Sequence, residues 1–290
     1  MDKKYSAPIW ITLALLAASV EPIVAKFAFK DQITAMQLIV LKAGFGALIL
    51  FPFIFRKLFD KNAVLRLAPV GCLLFATNSL TIYALSEISV VLLITIITTT
   101  PALVGIANSM LGRDQLGSKF WLGFALCFLG IVMTLEYKDI SANLLGLLAA
   151  LTAAVSSTIY RVRMEIICEK QSPIEAAGIT YFFQGLVTLA LIPLALPFPD
   201  RSLAFGAWIG ISAALANIAF VSALNLVGST RVSILTMIQR PLLIIAAAIF
   251  LKEAVSPLQV TGVVLVMIGI QLAEVKRKQI PDMTHIIREE

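Results

Sequence analysis

The chain has 290 residues, 59% apolar and only 14% charged, with a mean hydropathy of +0.95. A soluble domain carries about 25% charged residues, so this chain cannot clothe its surface in polar side chains and takes lipid as its solvent. The formal charge of +6 lies in short segments between apolar runs, with no Arg/Lys stripe interleaved with aromatics, which excludes nucleic acid and points to a basic membrane face.

The first apolar run, 8–29, follows Lys3-Lys4. It is too long for the apolar core of a signal peptide and more runs follow it, so it reads as a retained helix. The others are 34–55, 67–85, 89–111, 119–137, 143–160, 174–196, 205–226, 232–251 and 256–273. Each is near the ~20 residues that cross hydrocarbon, and only helices satisfy their own backbone polar groups in lipid. The expected fold class is all-α: a polytopic membrane protein of ten transmembrane helices. With the N-terminus inside, 16 Lys and Arg fall in cytoplasmic segments, Arg161 and Arg163 among them, against 4 on the other side. That bias puts both termini in the cytoplasm, in an inner or plasma membrane. The cysteines, Cys72, Cys127 and Cys168, have neither disulfide nor metal spacing.

One stretch occurs twice. Ala84-Leu85 leads to Pro101 and then to Gly123 and Gly130; Ala223-Leu224 leads to Pro241 and then to Gly262 and Gly269. Both copies span 46 positions from the alanine to the second glycine. Such self-similarity marks a transporter built from internal repeats. Five spans per repeat is an odd number, so residues 8–137 and 143–273 must be inverted repeats, with 274–290 as a cytoplasmic tail. The four glycines read as close-packing positions.

With these features the chain resembles the drug/metabolite transporter superfamily in its ten-helix form with two EamA-type repeats. Tyr83-Ala84-Leu85 with Pro101, Ala223-Leu224 with Pro241, Leu251-Lys252-Glu253, and Gly262 with Gly269 carry the likeness, which extends from about Ile9 to Ala273. One departure is Leu111-Gly112-Arg113, where the family often has Leu-Gly-Glu. The resemblance implies a secondary transporter of small organic solutes with no ATP site and no cofactor.

Ionisable groups at membrane depth are costly and mark function. Glu21 and Lys42 each lie eight residues inside the outer end of their spans, about 12 Å deep at 1.5 Å per residue. Arg240 lies in the ninth span, and Lys26, nearer a helix end, reads as snorkelling outward. Asn78, Thr99, Tyr181, Gln184, Asn217 and Gln239 join Glu21, Lys42 and Arg240 as expected substrate-binding residues around one chamber, with Asn78 and Asn217 matched across the repeat. Pro22, Pro101 and Pro241 are the expected hinges. Glu21 is either a proton carrier or the partner of Lys42 in a structural ion pair; its placement is similar to that of a first-helix glutamate in small members of the superfamily. The cargo expected is a zwitterionic or anionic metabolite such as an amino acid, its ammonium on Glu21 and its carboxylate on Arg240, with a cationic-drug exporter as the alternative. Coupling to a proton or a counter-solute, and a monomer or weak homodimer, complete the expectation. The single His285 falls in the tail and no Cys/His cluster exists, so neither enzyme nor metal site is expected.

Overall fold

Lipid solvation leaves helix as the only economical backbone, and polar residues mark where each helix starts. Thr34 and Gln37 form a capping box before α2, Asp60 accepts from the amides of Asn62 and Ala63 before α3, and Asn143 accepts from Leu145. The computed structural model describes residues 3–133, 143–239, 242, 256–273 and 275–277. Its first half holds α1 (Lys3–Lys30), α2 (Ala35–Ile54), α3 (Lys61–Glu87), α4 (Val90–Ile97), α5 (Thr100–Met110) and α6 (Ser118–Val132). Its second half holds α7 (Leu144–Cys168), α8 (Pro173–Leu189), the short α9 (Ile192–Ala195), α10 (Ser202–Val227), α11 (Ser229–Leu235) and α12 (Pro257–Leu272). Among the described residues α1, α2, α3, α7 and α10 are long and apolar enough to cross a membrane.

Three spans differ from the sequence reading. The run 89–111 is two helices, interrupted at Thr98-Thr99, so that Pro101 sits in the first turn of α5, where its missing N–H leaves no bond unmade. The run 174–196 stops at Leu189 and resumes only as α9. The ninth span begins as α11 and tightens into a 3₁₀ turn, Thr236–Ile238; its remainder, with Arg240, Pro241 and Lys252-Glu253, lies outside the described residues. Residues 275–277, in the segment read as a tail, instead form β2 and pair antiparallel with β1 (Asp114–Leu116). His285 also lies outside the described residues.

The helices pack across the halves rather than within them. α1 lies on α10 and α7 on α3; α2 lies on both α8 and α10, while α8 also packs on α3; α5 meets α11 and α6 meets α12. Exchanging the first helix for the sixth, the second for the seventh and so on returns the same set of contacts, the signature of a pseudo-twofold axis between the repeats. Small residues allow these approaches. A Cβ on Gly130 would stand 2.5 Å from the Gly262 carbonyl oxygen, and one on Gly123 would stand 2.6 Å from that of Gly269. The repeat-matched glycines thus meet each other along the α6–α12 seam. Gly130→Ala is expected to destabilise the protein by about 1–3 kcal/mol through this overpacking, whereas Gly44→Ala, with nothing within 4 Å of its Cβ, should be neutral or slightly stabilising. Thermal unfolding of both variants in detergent checks the difference; equal midpoints would show that the seam has slack.

Candidate functional site

Between the halves lies a cavity of about 200 Å³, walled by α1, α2 and α3 from one repeat and by α7, α8, α10 and the 3₁₀ turn from the other. Its first wall is ionic. The α2 stretch from Gln37 to Ala43 is buried throughout, which leaves Lys42 only 2% exposed. A buried ammonium needs a counter-charge, and Lys42 Nζ donates to Glu21 Oε1 on α1 at 2.6 Å and to Asn78 Oδ1 on α3 at 3.0 Å. Asn78 in turn donates to Gln184 Oε1 at 2.7 Å, so Gln184 backs the wall from α8 without reaching the cavity surface.

The second wall is neutral except at one residue. Tyr160 donates its hydroxyl to Asn217 Oδ1 at 2.7 Å, and Asn217 Nδ2 has no partner although the residue is only 9% exposed. Tyr181 lies beside them, its ring accommodated because residue 46 is glycine: a Cβ there would stand 2.5 Å from the ring edge. Arg161 lines the same cavity. Its Nη1 donates to Ser233 Oγ at 3.0 Å, its Nε to Ser157 Oγ at 3.3 Å, and its guanidinium carbon lies 4.5 Å from the centre of the Phe220 ring.

The two walls are related by a constant sequence shift. Ala84 and Ala223, Asn78 and Asn217, Lys42 and Tyr181, and Glu21 and Tyr160 are each 139 positions apart. The cavity is therefore one repeat-derived site used twice. The first copy carries a carboxylate, an ammonium and an amide; the second carries two phenols and an amide. Extending the shift outward from Ala84-Leu85 identifies Tyr160 as the partner of Glu21. Arg161 then follows, because it occupies the position of Pro22.

Of the expected binding residues, Glu21, Lys42, Asn78, Tyr181, Asn217 and Gln239 line the cavity. Arg240 lies outside the described residues. Thr99 does not border the cavity: its hydroxyl donates to the Ile96 carbonyl at 2.8 Å, across the break between α4 and α5. α1 runs unbroken through Pro22. Lys26 does not simply snorkel; Nζ donates to the carbonyls of Leu85 at 2.8 Å and Ile88 at 3.1 Å, fastening α1 to the end of α3. Arg161 was expected in a cytoplasmic loop, but α7 continues to Cys168 and places it inside the bundle.

A second polar cluster joins the halves at the end of the bundle away from Lys26. Asn108 of α5 is buried, and its Nδ2 lies 2.8 Å from Ser229 Oγ and 3.0 Å from Thr230 Oγ1. The Ser229 amide and hydroxyl both donate to Glu165 of α7, which is 4% exposed, and the Thr230 hydroxyl donates to Asp114. Arg113 closes the ring, with Nη2 3.4 Å from Glu165 Oε1 and a further ion pair to Glu169. Burial pulls the Arg113 pKa down, but Glu169 and Glu165 outweigh it and hold the pKa above its ordinary value.

The sequence matches the EamA-like transporter family twice, over residues 6–136 and 144–274. A solved structure described only as "Crystal structure of protein" shares the fold, with a TM-score of 0.73 over 92% of this chain and 97% of its own at 15% identity. No curated protein matches the chain by sequence.

Proposed function

The chain belongs to the EamA-like transporter family, and on that premise we propose that it is a secondary-active carrier, moving a small organic metabolite across a cell membrane by alternating access. One observation carries this reading: a polar cavity sits between two pseudo-symmetric halves, and both halves supply its lining. A scaffold has no use for a buried ammonium and a guanidinium at one cavity. The cargo is zwitterionic or anionic, because Lys42 and Arg161 outnumber Glu21 among the charged groups lining the cavity. A cationic drug is disfavoured on charge. It is also disfavoured on size, since about 200 Å³ falls below the ~300–1,000 Å³ of drug-sized sites.

In this mechanism both termini lie in the cytoplasm of an inner or plasma membrane, and flux is coupled to a proton or a counter-solute. Repeat-matched breaks near Pro101 and Pro241 let the fourth and ninth spans bend. The Asn108–Glu165–Ser229 cluster ties the fourth, sixth and ninth spans together and acts as the cytoplasmic latch. Counterflow in proteoliposomes tests the reading, with a panel of amino acids, organic acids, sugars and cationic dyes. Saturable exchange of a metabolite is expected. A folded, inserted protein that exchanges no solute of any class would sink it.

A further inference from the structure

We infer that Arg161 is the anion anchor of the cavity and that the cargo is a small organic carboxylate rather than a zwitterion or a cation. The inference rests on the reading of this cavity as the cargo site. Glu21, the only carboxylate lining the cavity, already accepts from Lys42 at 2.6 Å, so that pair is neutral as a unit and presents no spare carboxylate to an ammonium group. Arg161 has no such partner. Its contacts are two serine hydroxyls and the face of Phe220, and among the described residues no carboxylate stands within ion-pair distance of it. Hydroxyls and a ring face orient a guanidinium without neutralising its charge. A cation inside a membrane bundle is retained only where its charge is used.

A second, independent feature points the same way. Asn217 Nδ2 is an unpartnered donor, on a residue nine-tenths buried, in the same wall of the cavity. Its Oδ1 is occupied by Tyr160, so what the wall still offers is N–H donors. A guanidinium and an amide N–H are suited to one acceptor-rich, negatively charged group, and the planar fork of arginine matches a carboxylate. The first wall sets the other end of the cargo. The Glu21–Lys42–Asn78 chain is closed on itself, and Leu15, Ala18 and Leu74 complete that side of the cavity. An uncharged or apolar tail fits there better than an ammonium, which would approach Lys42.

The test uses the full-length protein in detergent for binding and in proteoliposomes for flux. The probes are propionate and benzoate, their neutral isosteres propionamide and benzamide, and alanine and tetramethylammonium. The two carboxylates should stabilise the wild type against heating, with the amides about 10- to 100-fold weaker, as loss of a charge-assisted bond predicts. Arg161→Gln should abolish the preference for acid over amide, and Arg161→Lys should retain part of it, because charge survives while the fork is lost. A structural role alone would shift the unfolding midpoints and leave the acid-to-amide ratio unmoved. Three results would overturn the anchor: no carboxylate binding to wild type, an unchanged acid-to-amide ratio in folded Arg161→Gln and Arg161→Lys proteins, or tighter binding of alanine or tetramethylammonium. Carboxylate binding that depends on Arg161 without any flux leaves the anchor standing and removes the transporter reading. Flux of cations or neutral solutes indifferent to Arg161 does the reverse.

Discussion

Lys42→Met is expected to destabilise the protein by about 3–5 kcal/mol, and adding Glu21→Gln to the same chain should recover most of that loss. The asymmetry follows from what each change leaves behind. Lys42 is 2% exposed and gives its ammonium to Glu21 at 2.6 Å and to Asn78 at 3.0 Å. Removing it alone strands a carboxylate inside the bundle beside an amide oxygen that has lost its donor. Removing both charges replaces an expensive ion pair by neutral groups of similar volume, which is often close to neutral in stability. Thermal unfolding in detergent measures both steps, and equal midpoints for the single and double variants would show that the pair is not coupled. Transport then reports what the pair does. The double variant should fold yet exchange cargo poorly, because Glu21, Lys42 and Asn78 join three helices into one wall of the cavity. Wild-type exchange by the double variant would mean that the pair is a clamp with no part in handling cargo.

The features legible in the sequence are those that lipid enforces. Hydrocarbon thickness sets run length, so the long helices and the two repeats can be read from apolar stretches and paired motifs. The Glu21–Lys42 pair is also legible, because equal distance from the outer helix ends puts the two side chains at one depth; the structure selects Lys42 over Arg240 as the partner it describes. Arg161 illustrates where such reasoning stops. An arginine after an apolar run looks like the start of a basic loop, and charge-bias counting treats it as one. α7 nevertheless continues to Cys168, burying Val162, Met164 and Glu165 against its neighbours, so Arg161 is carried inside. Nothing local to residues 156–165 announces this; the 139-position shift does. The role of Lys26 was hidden for another reason. Its acceptors are backbone carbonyls of Leu85 and Ile88, which no side-chain pattern reveals. Thr99 looked like a site residue because it is polar at depth, but a helix break has its own unsatisfied carbonyls, and Ile96 claims the hydroxyl.

Glu165→Ala is expected to open the cytoplasmic side of the cavity about 10-fold or more relative to wild type. Glu165 accepts from the amide and the hydroxyl of Ser229, stands near Asn108 Nδ2, and pairs with Arg113. These contacts cross between α5, α7 and α11, elements that must separate if the cavity is to face the cytoplasm. A hydrogen bond to a charged group contributes about 1.5–3 kcal/mol, and losing even one at a closed latch shifts a two-state balance by an order of magnitude. The measurement is labelling of a single cysteine at Ala216, a cavity-lining position, by a membrane-impermeant reagent applied from the cytoplasmic face, in a chain whose three native cysteines are replaced. Labelling should rise in Glu165→Ala and in Asn108→Ala, while Glu165→Gln, which keeps an acceptor for Ser229, should fall between them and wild type. Lys57→Ala is the control, because its pair with Glu175, at 3.2 Å, is solvent-exposed and worth little. Labelling that rises equally in the control, or from the opposite face of the membrane instead, would show that the cluster is not a latch on this side. Unchanged labelling in both Glu165→Ala and Asn108→Ala would leave it a packing feature of the closed bundle.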